Sequence, residues 1–383
     1  MKIYQMIFLL FLLGCSTPKE SGLTDNLLRP VTNETLKGYA ENFQTRVKEF
    51  PNDAFTNQWD VRFFLNRIYK AAKLNPNELD IGIDRDLEFS FPRITYALSK
   101  EIPGSEYEFI KTRIGKSKAH SLFRSYNYKT NAINYHDFLI VDRGGNVRIG
   151  DVYLFSTGEY LSQTYARQLA SNPMEDNPFA RRYTVDERKF FLSQGDMQLA
   201  FENGDANQVN LLLEKGRKSF GGKKFWRIME ADILSWQGNP NIETVLTQLL
   251  DDYPKDPSVI HNAFRYYYVM GEGAKTIQKL EALKEYVNDD VILDFVKVRT
   301  LVEMAELTKA LETLQIVIDK KPNDAELFYW KLMCEGFLKD FESGASTIRT
   351  MYSRFGIDLR DIQFSIFETF EEPADFWDWV EKR

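Results

Sequence analysis

Apolar residues in the second half of the chain recur at helical spacing, and the pattern breaks at a fixed interval. The dipeptides Tyr253-Pro254, Val287-Asn288, Lys321-Pro322 and Phe355-Gly356 stand 34 residues apart and interrupt it at one phase. An interval of this length corresponds to one antiparallel helix pair, which cannot bury its apolar face alone and must stack on neighbours. A frame that aligns Pro254 with Pro322 gives units of 189–222, 223–256, 257–290, 291–324 and 325–358. Leu212, Leu246, Leu280, Leu314 and Ile348 then share one place, and Leu249, Leu283, Val317 and Met351 another three residues on. These form a predicted packing ridge along the second helix of each unit.

The first half has a different period. Helices are predicted over residues 35–49 and 55–74, the second carrying Trp59, Phe63, Leu65, Ile68, Tyr69 and Ala72 and closed by Asn75-Pro76. From 78 to 115 the pattern is mixed: Leu79, Ile81, Ile83 and Leu87 alternate like a strand, and residues 94–100 read as helix. Alternating β-branched and aromatic residues then predict strands over 121–128, 132–142 and 146–155, with a hairpin turn at Arg143-Gly144-Gly145-Asn146. Residues 160–170 fit either a further strand or a short helix. Asn172-Pro173 through Asn177-Pro178, followed by Arg181-Arg182, is a Pro-rich polar break.

The expected organisation is an α+β domain over 34–170 and a linker over 171–187, followed by all-α helical repeats over 188–358. A helical cap over 359–383 would follow, its Phe376, Trp377 and Trp379 covering the last unit's stacking face.

At the N-terminus, Lys2 precedes a largely apolar run over 3–13 that is too short to span a bilayer, so it reads as an address to be removed. The run ends in Leu12-Leu13-Gly14-Cys15, which resembles the bacterial lipobox. That resemblance implies a signal peptide over 1–14 and acylation of Cys15, the chain being anchored in a lipid bilayer rather than spanning it. Ser16, with no Asp beside the cysteine, points by the same resemblance to the outer membrane of a bacterial envelope. Polar, turn-rich residues 15–33 would serve as the lipidated tether.

Composition narrows the partners. A net charge of −7 disfavours nucleic acid, because phosphate binding needs a dense Lys/Arg surface. The only cysteine besides Cys15 is Cys334, so no structural disulfide is expected, and Cys334 reads as a small buried hydrophobe.

Local catalytic motifs are missing. Gly115-Lys116-Ser117 looks like the end of a phosphate loop, but Ile110 stands where that loop needs glycine. There is no HExxH, CxxC or GxSxG pattern, His120 and His136 make a poor zinc site without a third ligand at local spacing, and no cofactor is implied. The polar candidates in the first domain are Arg113, His120, Tyr135, His136, Asp137 and Asp151. Alternation puts His136 with Phe138 and Ile140 on one sheet face and Asp137 with Tyr135, Leu139 and Val141 on the other. His136 is expected to bond a neighbouring carbonyl or face solvent rather than act as a base.

Helices followed by an antiparallel sheet over about 35–170 resemble the cone-shaped nuclear transport factor 2-like superfamily, whose members carry a pocket between helices and curved sheet. The second half resembles the tetratricopeptide repeat (TPR) family in its period, in Pro254 and Pro322, and in small residues Ala310 and Gly344 twelve places before Pro322 and Gly356. It departs from the family at Glu230, Phe264, Val298 and Leu332, where glycine is usual, and at Gln208, Ile242 and Thr276.

The TPR resemblance implies a concave groove lined by fixed first-helix places: Lys224 and Arg227; His261, Arg265 and Tyr268; Phe295 and Arg299; Tyr329 and Met333. A basic and aromatic strip of this kind suits an extended protein or peptide segment bearing carboxylates. The expected function is therefore a membrane-anchored interaction scaffold and not an enzyme. The alternative is an enzyme or small-ligand binder using a pocket in the first domain.

Overall fold

The computed structural model describes residues 28–75, 91–92, 95–96, 98–99, 102, 104–115, 118–128, 130–171, 177–288 and 290–357. The expected signal peptide, Cys15, most of the tether, residues 79–87 and the cap over 359–383 lie outside the described residues. The chain divides into two compact units, Met1–Asn262 and Ala263–Arg383. The division falls within a helix rather than in the Pro-rich segment at 171–187. Helices following that segment belong to the same unit as the sheet.

The first unit begins with strand β1 (Leu28–Arg29) and helices α1 (Asn33–Glu49), α2 (Pro51–Asn57) and α3 (Val61–Ala72). Thr32 caps α1 by accepting from the Thr35 amide, and Asp60 caps α3 by accepting from the Phe63 amide. Each satisfies one of the amides that a helix start leaves orphaned. The helix predicted over 55–74 is split between α2 and α3, which the capping carboxylate of Asp60 accounts for.

Strands β2 (Glu106–Ile114), β3 (Ala119–Asn127), β4 (Ala132–Arg143), β5 (Asn146–Leu154) and β6 (Glu159–Tyr160) form an antiparallel sheet in chain order, and β1 pairs with β4. The β4–β5 turn uses left-handed Gly144 and Gly145, as the Gly-Gly pair predicts. Strand β2 escaped the sequence pattern for a physical reason. A bulge between Phe109 and Lys111 shifts its alternation, and Glu106, Glu108, Lys111 and Arg113 make one face charged. Residues 160–170 supply both alternatives, a short strand and then helix α4 (Leu161–Ala170).

Phe43 of α1 meets Phe55, Phe123 and Phe138 edge-on at 5.3–5.5 Å, and all four are buried. Burying a phenylalanine contributes roughly 1.5–3 kcal/mol, so this cluster welds helices to sheet. The space between them is thus filled by aromatic rings.

A 3-10 helix (Pro178–Arg182) leads to α5 (Val185–Leu192), which a Thr184–Glu187 capping box starts. Then come α6 (Gln194–Glu202), α7 (Ala206–Phe220), α8 (Lys224–Trp236), α9 (Ile242–Asp252) and α10 (Pro257–Val269). Helix α7 approaches α8 through Gly216, where any Cβ would collide with the fully buried Trp226 indole.

The second unit continues with α11 (Gly273–Val287), α12 (Val291–Glu303), α13 (Leu307–Lys320), α14 (Ala325–Phe337) and α15 (Phe341–Phe355). From α11 onward each helix packs on the next. First helices start at Pro257, Val291 and Ala325 and second helices at Gly273, Leu307 and Phe341, each at the predicted interval of 34 residues, whereas the preceding pair starts slightly out of step at Lys224 and Ile242. All nine ridge residues from Leu212 to Met351 are buried, as is Ala310. The first predicted unit is less regular, since Ser193 separates α5 from α6.

Candidate functional site

The predicted groove residues fall into two groups with different surroundings. In the first unit they are used internally. Lys224 Nζ donates to Tyr153 Oη at 2.7 Å and to Asp256 Oδ2 at 2.6 Å. Arg227 donates from Nε to the Gly221 carbonyl at 2.9 Å and pairs with Asp252. His261 is fully buried, its Nε2 donating to the Ile133 carbonyl at 3.0 Å and its ring lying edge-on to Tyr135 and Phe155.

The expectation that His261 lines an open groove is therefore corrected. The turn between β5 and β6 packs against α8 and α10, with left-handed Gly158 touching Ile228 and Ser258. Asn262 Nδ2 completes the joint by donating to the Phe155 carbonyl at 2.7 Å. Burial alone would raise the Asp256 pKa, but hydrogen bonds from Lys224 and Ser258 prevail and hold it below its ordinary value.

The second unit contains a more open cluster. Arg265 is half-buried, with its guanidinium carbon 5.8 Å from the Tyr266 ring centroid. Tyr268 Oη donates to Glu303 at 3.1 Å, and burial raises its pKa. Arg299 is half-buried and stacks over Trp330 at 5.1 Å. Its Nε is buried without an acceptor among the described residues. Tyr329 and Met333 are half-buried on α14.

Phe295 is a second correction: it is fully buried, meeting Trp330 edge-on at 5.9 Å, and belongs to the core. The sequence frame also missed Trp330, Glu303 and Glu326. Trp330 stands one place beyond Tyr329, and only the Arg299 stack reveals its role. Burial first, and Asp324 second, raise the Glu326 pKa, while a Trp330 hydrogen bond and Arg299 oppose the rise. Two carboxyl groups therefore flank this arginine, and the strip is less basic than its place-by-place reading implied.

The polar candidates of the sheet separate as alternation required. His136 pairs in register with Phe123 on the aromatic face, and Asp137 with Leu122 and Tyr153 on the other. His136 is fully buried, its Nδ1 lying 3.2 Å from Tyr107 Oη and its Nε2 3.3 Å from Asn134 Nδ2. The ring is buried against the Tyr107 and Asn134 side chains, which corrects the expectation that it faces solvent.

Asp137 binds Arg113 with one oxygen and lies 3.2 Å from His120 Nδ1 with the other. Asp151 is fully buried and accepts from Arg67 Nε at 2.5 Å, Ser162 Oγ at 2.6 Å and the Val152 amide at 2.9 Å. Burial raises its pKa, opposed by Arg67 and Ser162. It ties α3 and α4 to β5, apart from His136, so these three groups do not converge on one cavity.

Among the described residues no group of three or more His, Cys, Asp or Glu is placed to hold a metal ion. Gly115 closes the β2–β3 turn by donating to the Lys118 carbonyl at 2.8 Å. Cys334 is buried, and burial followed by Glu335 pushes its thiol up to about 11, which suppresses the reactive thiolate. No described helix is long and apolar enough to cross a membrane.

No family model and no curated protein matches the chain. Among solved structures, one described as "MamA RS-1 ArsTM double mutant" is similar at 13% identity and a TM-score of 0.32, over 42% of this chain and 94% of that one.

Proposed function

We propose that this chain is a lipid-anchored bacterial envelope protein whose TPR-like helices hold a carboxylate-bearing peptide segment of a protein partner. Arg299 carries the reading. Its guanidinium is oriented by Trp330, its Nε has no acceptor among the described residues, and no carboxylate there pairs with it within 4.0 Å. A planar fork held on an aromatic face is suited to bidentate pairing with a carboxylate. Tyr329, Trp330 and Met333 offer apolar contact beside it, and Arg265 stands at the preceding repeat's equivalent place.

The flanking Glu303 and Glu326 sharpen the ligand. A run of acids would meet repulsion, whereas one Asp, Glu or terminal carboxylate between apolar or aromatic residues would pair with Arg299 and stack. A filled aromatic core in the α+β domain supports a scaffold over an enzyme. The lipobox-like Leu12-Leu13-Gly14-Cys15 supports anchoring at the envelope.

Selection from a displayed random peptide library tests the proposal. Enriched peptides should carry a single carboxylate next to aromatic or large apolar residues, and Arg299→Glu should weaken them by roughly tenfold or more, as expected for loss of a charge-assisted pair. Enrichment of peptides without a carboxylate, or equal binding by Arg299→Glu, would contradict it.

A further inference from the structure

The first unit carries a second arginine cluster, around a pocket. A pocket of about 450 Å³ opens at the start of α3, lined by Trp59, Asp60, Arg62, Arg143 and Arg148 among others. It is open to solvent, so a ligand there would be held by charge rather than by enclosure. The sequence pattern puts Trp59 in a helix and Arg143 in a hairpin turn, and gives Arg62 and Arg148 no role.

Three guanidinium groups share this pocket with one carboxylate, and that carboxylate is fully used. Asp60 Oδ1 accepts from the Phe63 amide at 2.9 Å, and Oδ2 pairs with Arg143 Nε at 2.9 Å. Arg62 is exposed and has no ion pair among the described residues. Arg148 is half-buried and, among the described residues, reaches only the neutral Gln58 Oε1, at 3.5 Å.

A further observation points to an acceptor-rich ligand. Trp59 is only 5% exposed, yet its indole Nε1 is buried without an acceptor among the described residues. Such a donor is costly unless something accepts from it. Its ring is held edge-on by Phe64 at 5.1 Å and Phe91 at 5.5 Å, so it cannot readily turn away.

We infer that this pocket binds the phosphate group of a small phosphorylated molecule or of an anionic lipid headgroup. Several guanidinium forks favour a multiply charged, multi-oxygen group over a single carboxylate. The volume leaves room for more than the phosphate. A headgroup enters the choice because Leu28 of β1, the first described strand after the expected anchor, pairs with Arg143. That source alone rests on the anchoring reading; phosphate binding does not.

Isothermal titration of the full chain in nonionic detergent with pyrophosphate, glycerol 3-phosphate and dihexanoyl phosphatidylglycerol tests it. At least one probe should bind saturably, and Arg62→Ala with Arg148→Ala should weaken it by about tenfold or more. Arg299→Glu should leave it unchanged, which separates failure here from failure of the peptide site. Binding of the phosphatidylglycerol in preference to glycerol 3-phosphate assigns a headgroup, and the reverse assigns a soluble phosphate.

Nuclear magnetic resonance supplies a readout independent of the double variant's folding. The chain has 6 tryptophans, and the Trp59 indole signal is identified by its loss in Trp59→Phe. In the unmutated chain that signal should shift with probe concentration. No saturable binding by any probe, an unmoved Trp59 signal, or undiminished binding by a folded double variant would overturn the inference.

Discussion

His261, Phe295 and Tyr329 occupy one place in successive repeats, and their surroundings differ. His261, in the first unit, is buried and donates to the Ile133 carbonyl of β4. Phe295, in the second, is buried against Trp330, while Tyr329 is half-exposed. A repeat fixes where a side chain departs from its helix, but what packs there decides its use. The lysine and arginine at the start of the series, Lys224 and Arg227, are engaged with Asp256, Tyr153, Gly221 and Asp252. Arg299 stacks on an aromatic ring, and its Nε has no acceptor among the described residues.

The largest effect should come from Phe295→Ala, which removes a fully buried ring and should cost about 3–5 kcal/mol in urea unfolding. Tyr329→Ala, at the equivalent place, should cost about 1 kcal/mol or less. Equal costs would erase the distinction between core and surface use. His261→Ala comes next, because it strands the buried Ile133 carbonyl and should cost about 1–3 kcal/mol. A neutral result would mean that this place is not structural in the first unit.

Lys224→Met should lower stability at neutral pH by about 1 kcal/mol by removing a partner from Asp256. The sign of its pH dependence follows from that carboxyl. Its folded pKa lies below the ordinary 3.8, so its contribution is complete above the unfolded value and is lost as pH falls through the folded one. Melting temperatures measured against pH should therefore converge for the two chains as pH falls below about 4. A gap that persists there would assign the loss to packing. The smallest change is expected for Tyr268→Phe, within about 0.5 kcal/mol, since Glu303 remains solvated.

Much of the helical half was legible, because burial of one face imposes a period and Leu212 to Met351 kept it. The three later strands were legible through their alternation and the Gly-Gly turn. Strand β2 was hidden by its bulge and charged face. The groove was only partly legible: place-by-place transfer found Arg299 but included buried His261 and Phe295 and omitted Trp330. Burial at a shared place depends on what lies across from it, which spacing does not encode. Arg62, Arg143 and Arg148 come together only through the pairing of β4 and β5 and the approach of α3, so no local motif marks that pocket.

The central claim is that open and engaged repeat places differ in function, and fluorescence anisotropy of one selected carboxylate peptide tests it most directly. Arg299→Glu should weaken binding by roughly tenfold or more, while Lys224→Met with Arg227→Met should change it by less than about twofold. Equal losses in both variants, or a loss confined to the Lys224 and Arg227 pair, would contradict the account.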